Sequence, residues 1–252
     1  MRSYTPRIQS LSRTLVMLEA VIHDGGMKSV SELARSAGIP VATAHRQVGT
    51  LVAEGFLTPV GKRQHVAGAR LLALARQLDE RQVVVNVAAP FLHELAIELG
   101  AIVQLGTYDN GMVTYRIKTG HGAKELFTKV GMQLEAYCSA IGKILLAHLP
   151  QEEQHAYLAD GPFVALTNRT ITDPEQLAYT LAQILSDDFA VDDGEIVEGL
   201  TCVAVPIRRT PSGQVIAAVS ASFEGVAVPP TATEALPRLR AAIGRIERAA
   251  FG

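Results

Sequence analysis

Cysteine is scarce in this 252-residue sequence: there are two, Cys138 and Cys202, far apart in the chain. Two distant thiols exclude a disulfide framework and a cysteine-rich zinc site, and they fit a chain kept in a reducing cytoplasm. A single bridge between them stays open. No apolar run reaches the roughly 18 residues that a membrane helix needs. The opening MRSYTPRIQS lacks the apolar stretch of a signal peptide. Phosphate-cradling glycine loops are missing too, since Gly120-His121-Gly122 has no lysine at P-loop spacing. The seven histidines are scattered rather than clustered at metal-ligand spacing, so neither a metal nor a cofactor is expected. What remains is a globular chain of one large or two ordinary domains, with 48% hydrophobic residues to build its core.

The formal net charge of −2 hides an asymmetry. Residues 1–82 carry eleven Lys and Arg against six Asp and Glu, a net of +5, and the remainder carries −7. A basic first third on an acidic remainder suggests that only the first part meets a polyanion.

Apolar spacing divides that first third into short helices. Residues 10–24 place Leu11, Leu15, Leu18 and Ile22 on one stripe, and Gly25-Gly26 ends them. Ser29 stands three residues before Glu32, a capping-box pattern that opens a second helix. This helix stops near Gly38, and Pro40 suits the first turn of a third, which Gly55 closes. Two short helices across a glycine-containing turn outline a helix-turn-helix. On the third helix Ala44, Val48, Leu51 and Val52 face a small core, leaving Thr43, His45, Arg46, Gln47 and Thr50 exposed. Such side chains near a helix N-terminus reach base edges and phosphates in a major groove. Phe56-Leu57 and Val66 then pair as a hairpin with Lys62 and Arg63 at its tip, a wing suited to backbone phosphate. Trihelical segments with a β-wing also serve as protein-binding modules, and the pattern alone leaves that reading open.

Residues 68–82 form another amphipathic stretch, with Leu71, Leu74, Ala75 and Leu78 in line and no core of their own. Packing on an adjacent domain and contact across a dimer both account for it. Residues 83–99 continue as a helix that Pro90 can bend. Strands are expected at 101–108 and 112–118 around Asp109-Asn110-Gly111, a tight-hairpin signal. A further strand is expected at 125–131, and a second hairpin joins 198–208 to 214–223 through Pro211-Ser212-Gly213. Helices are expected at 139–149, 173–185 and 231–250. Helices interrupting antiparallel hairpins indicate an α+β class.

The stretch SVSELARSAGIPVATAHRQVGTLVAEGFL resembles the DNA-binding domain of the IclR family of bacterial transcriptional regulators. Pro40, Thr43 and Arg46 match that family's recognition-helix pattern, with Ala42 where serine is usual. The resemblance runs on through CSAIGKILLAHLP and through DDGEIVEGLTCVAVPI, where Asp192, Glu195, Gly199 and Cys202 match. Departures are Glu135 and Tyr137 for a usual proline and histidine, Asp188 for a glycine, and Arg208-Arg209 for an aromatic-acidic pair.

The resemblance implies a winged helix-turn-helix (1–67), a linker helix that also dimerises (68–82) and a GAF-like antiparallel-sheet effector-sensing domain (83–252). The expected partners are double-stranded operator DNA, a small organic effector such as an organic or aromatic acid, and further copies of the chain as a dimer or dimer of dimers. DNA contacts are expected from Ser31, Thr43, His45, Arg46, Gln47, Lys62 and Arg63. The effector cup is expected to be lined by Ser139, Ala140, Ile141, Asp192, Leu200, Cys202, Ser220 and Ser222. Ser220 and Ser222, two apart on a strand, point to one face. A competing reading is a sensor or enzyme whose N-terminal helices bind a protein, with Cys202 as nucleophile beside His121, His148 or His155. No motif sets a histidine next to Cys202, and a strand cysteine is more often a small buried residue.

Overall fold

The computed structural model describes residues 8–77, 80–124, 126–209, 213–224 and 228–252. The chain forms two compact units, Met1–Asp79 and Glu80–Gly252.

In the first unit α1 (Gln9–Asp24) ends where the Gly25 N–H donates to the Val21 carbonyl. Helix α2 (Val30–Ser36) opens on the capping box: Ser29 Oγ accepts the Glu32 N–H, and the Glu32 carboxylate accepts the Ser29 N–H at 2.8 Å. Helix α3 (Val41–Ala53) starts directly after Pro40, which sits at the N-cap rather than in the first turn. Strands β1 (Leu57–Val60) and β2 (Gln64–Ala67) pair antiparallel to make the wing. Helix α4 (Ala69–Gln77) is tied back by Arg70, which lies 5.0 Å above the Phe56 ring and pairs with Glu54 at 3.0 Å. Met17, Val21, Leu33, Ala34, Ala44, Val48, Leu51 and Leu57 close one small core.

Two expectations shift here. The α1 stripe of Leu11, Leu15 and Ile22 lies outside that core at 55%, 50% and 41% exposure, because Met17 and Val21 on the neighbouring stripe fill it. The single amphipathic stretch expected at 68–82 is α4 followed by α5 (Glu80–Leu99), with 78–79, and so Leu78, outside the described residues.

The second unit is a six-stranded antiparallel sheet in the order β5-β4-β3-β8-β7-β6, with helices on both faces. Strands β3 (Ile102–Asp109) and β4 (Met112–Thr119) meet at Asn110 and Gly111, both at positive φ (49° and 83°), as a tight two-residue turn requires. Strand β5 (Gln133–Glu135) edges β4, and β6 (Ala190–Asp193) edges β7 (Leu200–Arg208), which pairs with β8 (Val215–Glu224). Residues 210–212, which include Pro211 and Ser212 of the expected turn between β7 and β8, lie outside the described residues.

Both faces of the central strands are covered, which is why β7 and β8 read as nearly continuous apolar runs rather than as an alternation. Val203, Val205, Ile207 and Val219 pack on α5 and α9 (Val228–Phe251). On the other face, Cys202, Ala204 and Ala218 meet α6 (Ala140–Ala147) and α8 (Pro174–Asp187). By length and average composition α5 could cross a membrane, but Arg81, Glu94 and Glu98 interrupt it, so it is not an unbroken apolar run of the expected length. It instead sets Val84, Ala88, Leu92, Leu95 and Ala96 into the core at 2% exposure or less.

The strand expected over 125–131 does not form in 126–131. Lys118 Nζ donates there to the Leu126 and Thr128 carbonyls at 2.7 and 2.5 Å, so those oxygens are satisfied by an ammonium in place of a ladder. The short helix α7 (Gln151–Ala159) and the short strands β5 and β6 were not anticipated.

Candidate functional site

The two units each carry one of the sites expected from the sequence. On α3, His45 and Arg46 are exposed and Thr43 is half-buried, while Lys62 and Arg63 stand exposed at the wing tip. Ser31 on α2 reaches His45 on α3, with Ser31 Oγ 3.1 Å from His45 Nε2. The capped start of α2 thereby steadies the base of the helix that carries Arg46.

Gln47 requires correction. It is 9% exposed, and its Nε2 donates to the Ser10 carbonyl of α1 at 3.2 Å. It stands three residues after Ala44 and four before Leu51, on the buried stripe, so its amide locks α3 to α1 and is unavailable to a ligand outside.

In the second unit, small side chains decide the geometry. Ala204, Ala218 and Ser220 on the α6 face of the sheet occupy little volume, leaving room beneath the helix. α6 itself comes very close to the preceding segment: a Cβ on Gly142 would stand 2.0 Å from the Ala136 carbonyl oxygen. The Ser139 hydroxyl caps α6 by accepting the Gly142 N–H at 3.0 Å. Ala140 and Ile141 follow in the first turn, where N–H groups have no intrahelical acceptor.

The cavity so formed is walled by Ser139, Ala140 and Ile141 from α6, Asp192, Leu200 and Cys202 from β6 and β7, and Ser220 from β8. Its free space is about 10 Å³, roughly that of one water, so the walls must part to admit an organic molecule. Ser222 is not in the wall; its hydroxyl lies 3.2 Å from Cys202 Sγ across the strand pair. Further wall residues were not singled out in the sequence: Gln104, Tyr115, Leu126, Phe127, Thr128 and Ile196. Gln104 shared an alternation with the apolar residues of β3, a signal that was available but weak.

The cavity floor is electrostatically unusual. Asp192 is 1% exposed; its Oδ1 accepts the Glu195 N–H at 2.7 Å and its Oδ2 meets no donor. Burial pushes its carboxyl up to about 7, against the pull of Lys143. Lys143, 1% exposed, donates to the Val191 carbonyl at 2.6 Å and pairs with Glu195, whose carboxyl burial also raises. Burial pushes the Cys202 thiol well above its ordinary value and away from the thiolate that a nucleophile needs. Among the described residues no group of three or more His, Cys, Asp or Glu could hold a metal ion.

Two of the departures meet elsewhere in this unit. Asp188 takes positive φ (60°) after α8, the conformation for which glycine is the usual residue, and its carboxylate pairs bidentately with Arg208. Tyr137, another of them, stacks on Phe163 at 4.7 Å and lies outside the cavity wall.

The sequence pattern of the IclR helix-turn-helix domain matches residues 10–61, and that of the bacterial transcriptional regulator IclR C-terminal domain matches residues 76–247. The chain belongs to the IclR family. The transcriptional repressor IclR of Escherichia coli is 29% identical over 208 residues, 81% of this chain and 76% of that one. The Pca regulon regulatory protein of Pseudomonas putida is 29% identical over 215 residues, 84% and 73% of the two. An IclR homologue from Microbacterium hydrocarbonoxydans, solved as a complex with 4-hydroxybenzoate, is 30% identical with a TM-score of 0.62, covering 96% and 98%. This IclR-family chain is therefore a DNA-binding transcriptional regulator, and its α3 is the second helix of the helix-turn-helix.

Proposed function

We propose that a small organic effector, an organic or aromatic acid, enters the cavity beneath α6 and thereby sets the chain's affinity for its operator. The observation that carries this reading is the enclosed cavity on the small-residue face of the sheet. It has apolar walls, the hydroxyls of Tyr115 and Ser220, and a buried carboxylate, the composition of a ligand site. First-turn N–H groups of α6 at one end suit an anionic group. The homologue crystallised with 4-hydroxybenzoate supports a small acid as ligand. Ser222 serves the site indirectly, by positioning Cys202.

On the DNA side, Thr43, His45 and Arg46 read bases or phosphates in the major groove, with Ser31 supporting His45 and with Lys62 and Arg63 on the flanking backbone. The protein acts in the cytoplasm as at least a dimer, so that paired heads read two half-sites. The exposed α1 stripe of Leu11, Leu15 and Ile22 supports a second copy as its cover. A monomer in light scattering at micromolar concentration counts against that assembly.

The effector reading is tested by a thermal-shift screen of small carboxylates, followed by titration calorimetry of each hit on the full chain and on Ser220→Ala. A hydroxyl paired with a buried ligand oxygen contributes about 1–3 kcal/mol, so Ser220→Ala weakens binding by that amount. Undiminished affinity puts the ligand elsewhere.

A further inference from the structure

A groove of about 470 Å³ opens on the second unit beside the β3–β4 turn, apart from the cavity beneath α6. Its volume is that of an ordinary small-molecule site, and unlike that cavity it is already open. Met112 from β4, Tyr157 from α7, and Phe163, Val164 and Leu166 from the loop before α8 give it an apolar wall. Val164 and Leu166 are 70% and 50% exposed, and with their neighbours in the wall they form a patch rather than scattered surface residues. The wall is held in place from behind. Phe163 stacks on Tyr137 at 4.7 Å and on Tyr157 at 5.5 Å. The Tyr137 hydroxyl donates to the Val164 carbonyl at 2.7 Å, and the Tyr157 hydroxyl accepts the Tyr137 N–H at 3.1 Å. The Phe163 N–H donates to the Thr172 carbonyl at 2.9 Å. A wall fixed in this way spares a ligand the cost of ordering it.

The charge around the groove has one sign. Glu135 and Asp160 stand exposed at its rim, and its described lining holds no lysine, arginine or histidine. Past Asn110 and Gly111 it continues into a second groove of about 610 Å³, which shares Tyr157 and Asp160 and adds Glu153. Asp109 and Arg81 there are paired with each other, and Arg116 also pairs with Asp109. Glu135, Glu153 and Asp160 form no ion pair among the described residues. We propose that this groove is a second ligand site, which takes a small organic cation with an apolar body. The ammonium of such an alkyl or aryl amine lies at the Glu135–Asp160 rim, and its body covers Met112, Tyr157 and Leu166. An organic acid, the expected occupant of the cavity beneath α6, is repelled here. The carboxylates alone hold any cation weakly, because exposed ion pairs contribute little, so the apolar wall decides that the cation must carry a body. Glu135 and Tyr137 are two of the positions where this sequence departs from the IclR-family pattern, which makes the groove a feature of this chain.

The test is titration calorimetry and ligand-observed NMR on the full chain, with one apolar body bearing different head groups. The probes are 4-phenylbutylamine, 4-phenylbutan-1-ol and 5-phenylpentanoate, with methylamine as the charged head alone. The amine binds about three- to tenfold more tightly than the alcohol, the ratio expected for one or two exposed charge pairs, and the carboxylate and methylamine bind more weakly still. Glu135→Gln with Asp160→Asn removes the advantage of the amine over the alcohol. Val164→Ser with Leu166→Ser weakens amine and alcohol alike. All four substitutions fall at exposed positions, so the fold is kept. Equal affinities for amine and alcohol in the wild type overturn the proposal, as does methylamine binding as tightly as the full amine. Amine binding that both double variants leave unchanged overturns it too. Loss of amine binding in Ser220→Ala places the amine beneath α6 instead and overturns it without touching the effector reading. If light scattering shows that Val164→Ser with Leu166→Ser splits the wild-type assembly, a second copy of the chain covers the groove, and the proposal fails.

Discussion

At the scale of single residues, Asp192 costs the fold stability in exchange for a polar group in the cavity. Its folded-state carboxyl titrates near 7, far above the usual 3.8, so the unfolded chain gives up its proton first as the pH rises. The contribution of Asp192 is therefore neutral below about pH 4 and turns progressively unfavourable up to about pH 7, where the folded form also ionises. Burial dominates that shift; Lys143 opposes it and Glu195 adds to it, with the thiols of Cys202 and Cys138 close by. Asp192→Asn is expected to stabilise the protein by roughly 2–4 kcal/mol above pH 7 and by little near pH 4, read by urea denaturation across that range. A gain that does not vary with pH contradicts the assignment. Thr43 and Arg46 are the opposite kind of residue, one half-buried and one exposed, with neither in the core. Thr43→Ala with Arg46→Ala should abolish sequence-specific binding in a selection from random duplexes, with stability changed by less than about 1 kcal/mol. Enrichment of the same sequences by the double variant would remove α3 from the reading of DNA. Gln47 was misread because its own side chain is polar, although its position relative to Ala44 and Leu51 already put it on the inner stripe.

At the scale of elements, most of the architecture was legible and the reasons are local. Capping at Ser29, the Asn110-Gly111 turn and the Asp173 cap of α8 are each written in two to four consecutive residues. What escaped depends on distant partners: β6 and β5 are strands because β7 and β4 pair with them, and α7 buries none of its own residues. The cavity was half legible for the same reason. Its α6 and β7 walls sit in motifs, whereas Gln104 and Tyr115 arrive from strands brought together only by the sheet register, and Thr128 from the irregular segment that Lys118 ties down. The element-scale bond that matters most is Lys143–Glu195, which ties α6 to the segment after β6. Removing one partner strands a buried charge, so Lys143→Met should cost about 3–5 kcal/mol, and adding Glu195→Leu should recover much of that loss. Chemical denaturation of the two variants checks it, and additive losses would mean the pair is not coupled.

At the scale of the whole molecule, an effector can control DNA binding only by favouring one arrangement of the assembled chain over another, and DNA must then change effector affinity by the same factor. Typical couplings of this kind are about 1–3 kcal/mol, or roughly five- to 150-fold in affinity. Ala140 offers a steric handle on that linkage, since it is buried in the cavity wall. Leucine there fills the space the effector needs while leaving the helix-turn-helix untouched. The decisive measurement is operator affinity by fluorescence anisotropy, with and without saturating effector, for the wild type and Ala140→Leu. The account predicts a several-fold shift in the wild type, no shift in Ala140→Leu, and equal affinities of the two proteins without effector. An equal effector shift in both proteins would contradict it.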